Sequence, residues 1–135
     1  MFTQGMKRCL FVLVAGLTVL AACSKEDLMV DPDNPLLGTW VQTGHEENSV
    51  IYTRAARLKN DGPGMVFQAD GHVVLRGIAG WCATPPVSYT NYEGRWNQSG
   101  ATLQTTVHYQ WMPDASVQVQ EIVSVDEKQL VLAYR

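Results

Sequence analysis

Eleven residues, Ala101 to Trp111, limit what this chain can fold into more than any other stretch. Ala101, Leu103, Thr105, Val107, Tyr109 and Trp111 share one parity, while Thr102, Gln104, Thr106, His108 and Gln110 share the other. Side chains of a β-strand point alternately to opposite faces of its sheet, so period two means a strand with one apolar and one wet face. Tyr92, Gly94 and Trp96 alternate against Glu93, Arg95 and Asn97 in the same way. Turn signals punctuate the rest: Asp61-Gly62-Pro63-Gly64, Ala69-Asp70-Gly71, Gln98-Ser99-Gly100, Pro113-Asp114 and Asp126-Glu127-Lys128. Between them lie β-branched and aromatic runs of strand length.

The pattern predicts an all-β domain over residues 36–135, with strands at 38–44, 50–58, 64–68, 72–77, 92–97, 101–111, 116–125 and 129–134. Most neighbours are joined tightly enough for hairpins, which gives an eight-stranded antiparallel up-and-down meander. Such a sheet buries its one apolar face, and loses its exposed edges, by closing into a small barrel. A barrel of eight strands is either filled by side chains or holds one small ligand.

The N-terminus reads differently. Lys7 and Arg8 precede Leu10 to Ala22, thirteen uncharged residues. That run falls short of the roughly 20 apolar residues needed to span a bilayer, and a basic start with a short apolar centre marks a secretory signal peptide, 1–22. Leu20-Ala21-Ala22-Cys23 resembles the lipobox of bacterial lipoproteins. The resemblance implies cleavage before Cys23, acylation of its sulfur and new amine, and a membrane partner reached through those chains. Several acyl chains anchor stably where one does not. Residues 23–35 then form a polar tether: Ser24-Lys25-Glu26-Asp27 is similar to outer-surface sorting tags, and Asp31-Pro32-Asp33-Asn34-Pro35 stiffens the remainder. The expected location is the outer membrane, lipid-anchored, on its periplasmic or outer side.

Cleavage removes Lys7 and Arg8, leaving 8 basic against 13 acidic side chains, a formal charge of −5 over 113 residues. With no basic cluster, nucleic acid is not an expected partner. Acylation of Cys23 leaves Cys82 without a disulfide partner in the mature chain.

Gly38-Thr39-Trp40 on the first strand resembles the G-x-W signature of lipocalins. Phe67-Gln68-Ala69-Asp70-Gly71, Tyr92-Glu93-Gly94-Arg95-Trp96, Leu103, Ile122 and Leu130-Val131-Leu132 resemble the looser pattern of bacterial lipocalin-like lipoproteins. The likeness covers most of residues 36–134, without a second classical lipocalin motif, a disulfide or room for a C-terminal helix. It implies that Gly38 and Trp40 sit at the closed end of the barrel. It also implies that an arginine late in the chain stacks on the indole: Arg135, with Arg95 and Arg76 as alternatives.

Chemistry-bearing motifs are sparse. His45-Glu46-Glu47-Asn48-Ser49 starts like a zinc-protease helix but has serine where the second histidine belongs, and His72 and His108 lack cysteine partners. No metal or cofactor is expected. Cys82 is the one candidate nucleophile, and no base or electropositive setting accompanies it, so a packed thiol and a non-catalytic protein are expected. The connection 78–91, with Trp81, Pro85, Pro86, Val87 and Tyr89, is too apolar for a plain solvated loop. It reads as a lid over one barrel end or as a contact surface for a ligand or partner. On the seventh strand Glu121 shares parity with Val117, Val119, Val123 and Val125, which sets a carboxylate among valines. A bulge near Gln120-Glu121 turning Ile122 inward relieves that burial, while a ligand-reading Glu121 is the sharper alternative. Trp81, Tyr89, Trp111 and Glu121 are therefore the candidate ligand-binding residues. The expected function is an anchored module binding a small hydrophobic ligand or peptide. The alternative is an accessory lipoprotein docking an envelope protein or glycan through its outer face. Aromatic bulk at Trp40, Tyr52, Phe67, Trp96, Tyr109 and Trp111 decides between a filled and a hollow barrel.

Overall fold

The computed structural model describes residues 30–80 and 87–135. The expected signal peptide, Cys23, Trp81 and Cys82 lie outside the described residues. Eight strands form: β1 (Gly38–Glu46), β2 (Ser49–Ala55), β3 (Gly64–Phe67), β4 (His72–Ile78), β5 (Tyr89–Ser99), β6 (Thr102–Val107), β7 (Ser116–Val125) and β8 (Gln129–Tyr134). They close into a barrel in which each strand is antiparallel to both neighbours. This is the all-β, eight-stranded barrel that the alternation and turn spacing predict.

Strands β3 to β8 follow one another around the wall, but the first hairpin enters in reverse order. β1 lies between β2 and β3, and β2, not β1, pairs with β8. The cause is the connection 56–63, too long for a tight hairpin. It starts beside Thr39, where Ala55 pairs, and ends beside Val41, where Gly64 pairs, so it crosses β1 on the outside. Gln42 N–H donates to Pro63 O at 3.1 Å along this crossing. Gly64 is required there, since a Cβ would meet Trp40 O at 2.6 Å and Leu58 Cδ2 at 2.7 Å.

The inward faces follow the predicted parity on β6: Leu103, Thr105 and Val107 are buried, while Thr102, Gln104 and Thr106 are half-buried. The strand itself ends at Val107, four residues early. Met112 N–H donates to Tyr109 O at 3.1 Å, a turn that swings Trp111 back onto Tyr92. On β5, Gly94 sits where β6 approaches closely; a Cβ would lie 2.1 Å from Thr106 O. The core joins Trp40, Phe67, Leu103, Leu130 and Leu132 with Leu36, two residues before β1.

The valines of β7 face the opposite way from the expectation. Val117, Val119 and Val123 are 56%, 41% and 56% exposed, and Gln120 and Ile122 point in. Glu121 is exposed with those valines, on the outer parity of an unbroken register, and not through the expected bulge at Gln120-Glu121. The register shift lies beyond it, between Ile122 and Ser124, and returns Val125 to the core side. β-Branched residues suit an exposed strand face as well as a buried one, which is why valine parity misled.

Candidate functional site

The two ends of the barrel differ in chemistry. One end is sealed. Trp40 is fully buried, and its Nε1–H donates to Leu36 O at 2.8 Å. The guanidinium of Arg54 lies over its ring, 4.2 Å from the centroid. The expected partner, Arg135, is not the cation here, and neither Arg95 nor Arg76 takes its place. Because β2 lies next to β1, Arg54 is the residue directly across from Trp40. β8 runs away from this end, so Arg135 follows Tyr134 at the other. Arg54 Nε donates to Glu127 O at 2.7 Å and Nη1 to Leu37 O at 2.7 Å. Its Nη2 bonds Pro35 O and reaches Asp126 O at 3.5 Å. One side chain thus ties residues 35–37, just before β1, to the β7–β8 turn across the indole. Burial lowers its pKa, opposed by the nearby Asp126 and Glu127 carboxylates.

The opposite end is open. A cavity of about 290 Å³ enters it between Gln42, Tyr52, Met65, Leu75, Tyr89, Gln118, Gln120 and Tyr134. Small-ligand pockets begin at about 300 Å³, so the space suits one ring or a chain end. Gln120 is 5% exposed and Tyr52 8%. Among the described residues neither side chain has a hydrogen-bond partner within the protein, and the polar atoms of both stay open to solvent. Burial, and then neighbouring Tyr134, push the Tyr52 phenol well above its ordinary value, so it stays a neutral donor and acceptor. On the wall, Arg76 donates to Asn91 Oδ1 at 2.8 Å and Asn60 O at 3.0 Å, and its Nε is buried without a partner.

Beside this cavity lies an aromatic rim. Tyr92 OH donates to Ile78 O at 2.7 Å, and its ring meets those of Tyr109 and Trp111 at 4.8 and 5.4 Å. Burial, then Tyr92, raise the pKa of Tyr109. Trp111 remains 38% exposed, bordering a second recess with Ala79, Gly80 and Gln110.

Of the candidate residues, Tyr89 lines the open mouth, while Trp111 lines the separate recess with Ala79 and Gly80. Glu121 does not join them: it lies on the outer face, paired with Thr102 and Ala133. Trp40, Tyr52 and Phe67 fill the interior, Trp96 and Tyr109 pack against it in part, and Trp111 does not. A wider groove of about 660 Å³ lies outside the sealed end, among Asp31, Leu37, Ala55, Phe67 and Ala69. Its short apolar lining holds few groups that fix a ligand's orientation, so the smaller mouth is the better candidate. Among the described residues no three His, Cys, Asp or Glu side chains gather to hold a metal ion.

No protein-family model, curated protein or solved structure matches this chain. The site therefore rests on its own geometry.

Proposed function

We propose that this protein is a non-catalytic, lipid-anchored lipocalin-like module of the cell envelope that binds a small ligand in the open mouth of its barrel. The observation that carries the reading is a pair of polar side chains, Gln120 and Tyr52, that line an accessible cavity with their polar atoms open to it and bonded to no other part of the described protein. An open polar lining of this kind can hydrogen-bond a ligand that displaces its water. The Arg54 bonds to Pro35 and Leu37 support an orientation: an anchor at Cys23 joins the sealed end, so the mouth faces away from the membrane. Fully extended, the thirteen tether residues reach at most about 45 Å.

A second reading, docking of an envelope protein on the outer face, is favoured by the exposed Val117, Val119 and Val123. Mapping of side-chain and backbone NMR shifts separates the two. Small-molecule fragments that move Gln120, Tyr52 and Tyr134 support mouth binding. Fragments that leave the mouth unmoved, or envelope extracts that move only the β7 outer face, contradict it.

A further inference from the structure

We propose that the mouth ligand is a neutral sugar ring, the end of a glycan; this deepens the ligand-binding reading above and rests on it. A carboxamide offers two donors and an acceptor, and a phenol offers one donor and accepts as well. Gln120 and Tyr52 present both kinds of group at the cavity floor, and Gln42, Gln118 and Tyr134 repeat the same two chemistries toward the rim. Sugar hydroxyls also donate and accept, so such a lining can satisfy several of them at once.

Two other ligand classes fit less well. A wholly apolar molecule covering the floor leaves the Gln120 amide and Tyr52 phenol buried without partners, which works against binding. An ionised ligand finds no opposite charge on the floor. Arg76, the charged residue of the wall, lies on the outward parity of β4 and has both terminal nitrogens engaged with Asn91 and Asn60, leaving only Nε. The rim supplies what an amide floor lacks. Trp111 is partly exposed and held edge-on by Tyr92, at 5.4 Å and 88°. Its free surface suits the C–H face of a second ring, and the two recesses are lined by consecutive residues, Ile78 in one and Ala79 in the other. The cavity volume of about 290 Å³ limits the buried part to a single ring.

The test uses the mature chain carrying Cys23→Ser, isotopically labelled, and two probe sets. One contains glucose, galactose, mannose, N-acetylglucosamine and their β- or α-linked disaccharides. The other contains palmitate and anilinonaphthalene sulfonate. At least one sugar is expected to shift the Gln120 side-chain amide saturably, and Gln120→Leu to weaken it about tenfold or more, the loss of roughly one hydrogen-bonded contact. Tyr52→Phe, which keeps the ring, is expected to weaken it without lowering the melting temperature. If the apolar probes move the mouth and no sugar does, the sugar assignment is wrong and mouth binding stands. If neither set moves it, both fail. Sugar binding that survives Gln120→Leu and Tyr52→Phe together places the site elsewhere and overturns the proposal.

Discussion

At Arg54 a buried guanidinium lies over Trp40 and helps close one end of the barrel. Its planar fork donates in several directions at once, which an ammonium cannot do. Arg54→Ala orphans carbonyls of Pro35, Leu37 and Glu127 and uncovers the Trp40 ring, so it is expected to cost about 3 kcal/mol or more in denaturant unfolding. Arg54→Lys is expected to lose most of the same stability, and Arg135→Ala close to none; equal losses for Arg54→Ala and Arg135→Ala count against this assignment. The residue was half legible. Val50, Tyr52 and Arg54 share a parity, which places a charge on an apolar face and demands partners, but only the topology reveals them. Gln120 was hidden more thoroughly. It lies on the parity opposite Val117, Val119, Val123 and Val125, and hydrophobicity alone assigns those valines to the core.

Among the elements, β6 was the most legible and β1–β2 the least. The alternation of β6 is strict and amphipathic, and the burial of Leu103, Thr105 and Val107 follows it. Leu103→Asp or Val107→Asp is expected to unfold the domain or lower its melting temperature severely, by placing an unpaired charge in the core. Gln104→Asp and Thr106→Asp are expected to cost little, and equal melting temperatures for all four variants contradict the assigned faces. The order of β1 and β2 left no trace in local pattern, because parity cannot say which neighbour a strand pairs with. Turns were plain. Asp126 Oδ1 accepts backbone N–H groups of Lys128 and Gln129, both at 2.7 Å, and these bonds hold its carboxyl below the usual range. A depressed folded-state pKa means stability that is present above the unfolded value, about 3.9, and lost as pH falls through the lower folded one. Melting temperature is therefore expected to fall on acidification below about pH 4. Asp126→Ala is expected to melt lower at neutral pH and to show a shallower acid limb; an unchanged limb removes Asp126 from that account.

On the scale of the whole molecule, the chain enters at a sealed end and offers a polar mouth at the other. The proposed anchor fits that polarity: Cys23→Ser is expected to move the protein from the membrane to the soluble fraction and to abolish its acyl mass, and retention of both contradicts lipidation. The barrel was legible because strand period and turn chemistry are local. Its polarity was not, because it depends on which side chains meet across strands distant in sequence. Hydrogen exchange followed by NMR tests that polarity most directly. The Trp40 indole N–H, bonded to Leu36 O inside the sealed end, is expected to exchange only through global unfolding, with the denaturant dependence of that transition. The Gln120 side-chain amide is expected to exchange rapidly from the native state, independent of denaturant. Rapid exchange at Trp40, or protection of Gln120 to the level of global unfolding, contradicts a barrel closed at one end and open at the other.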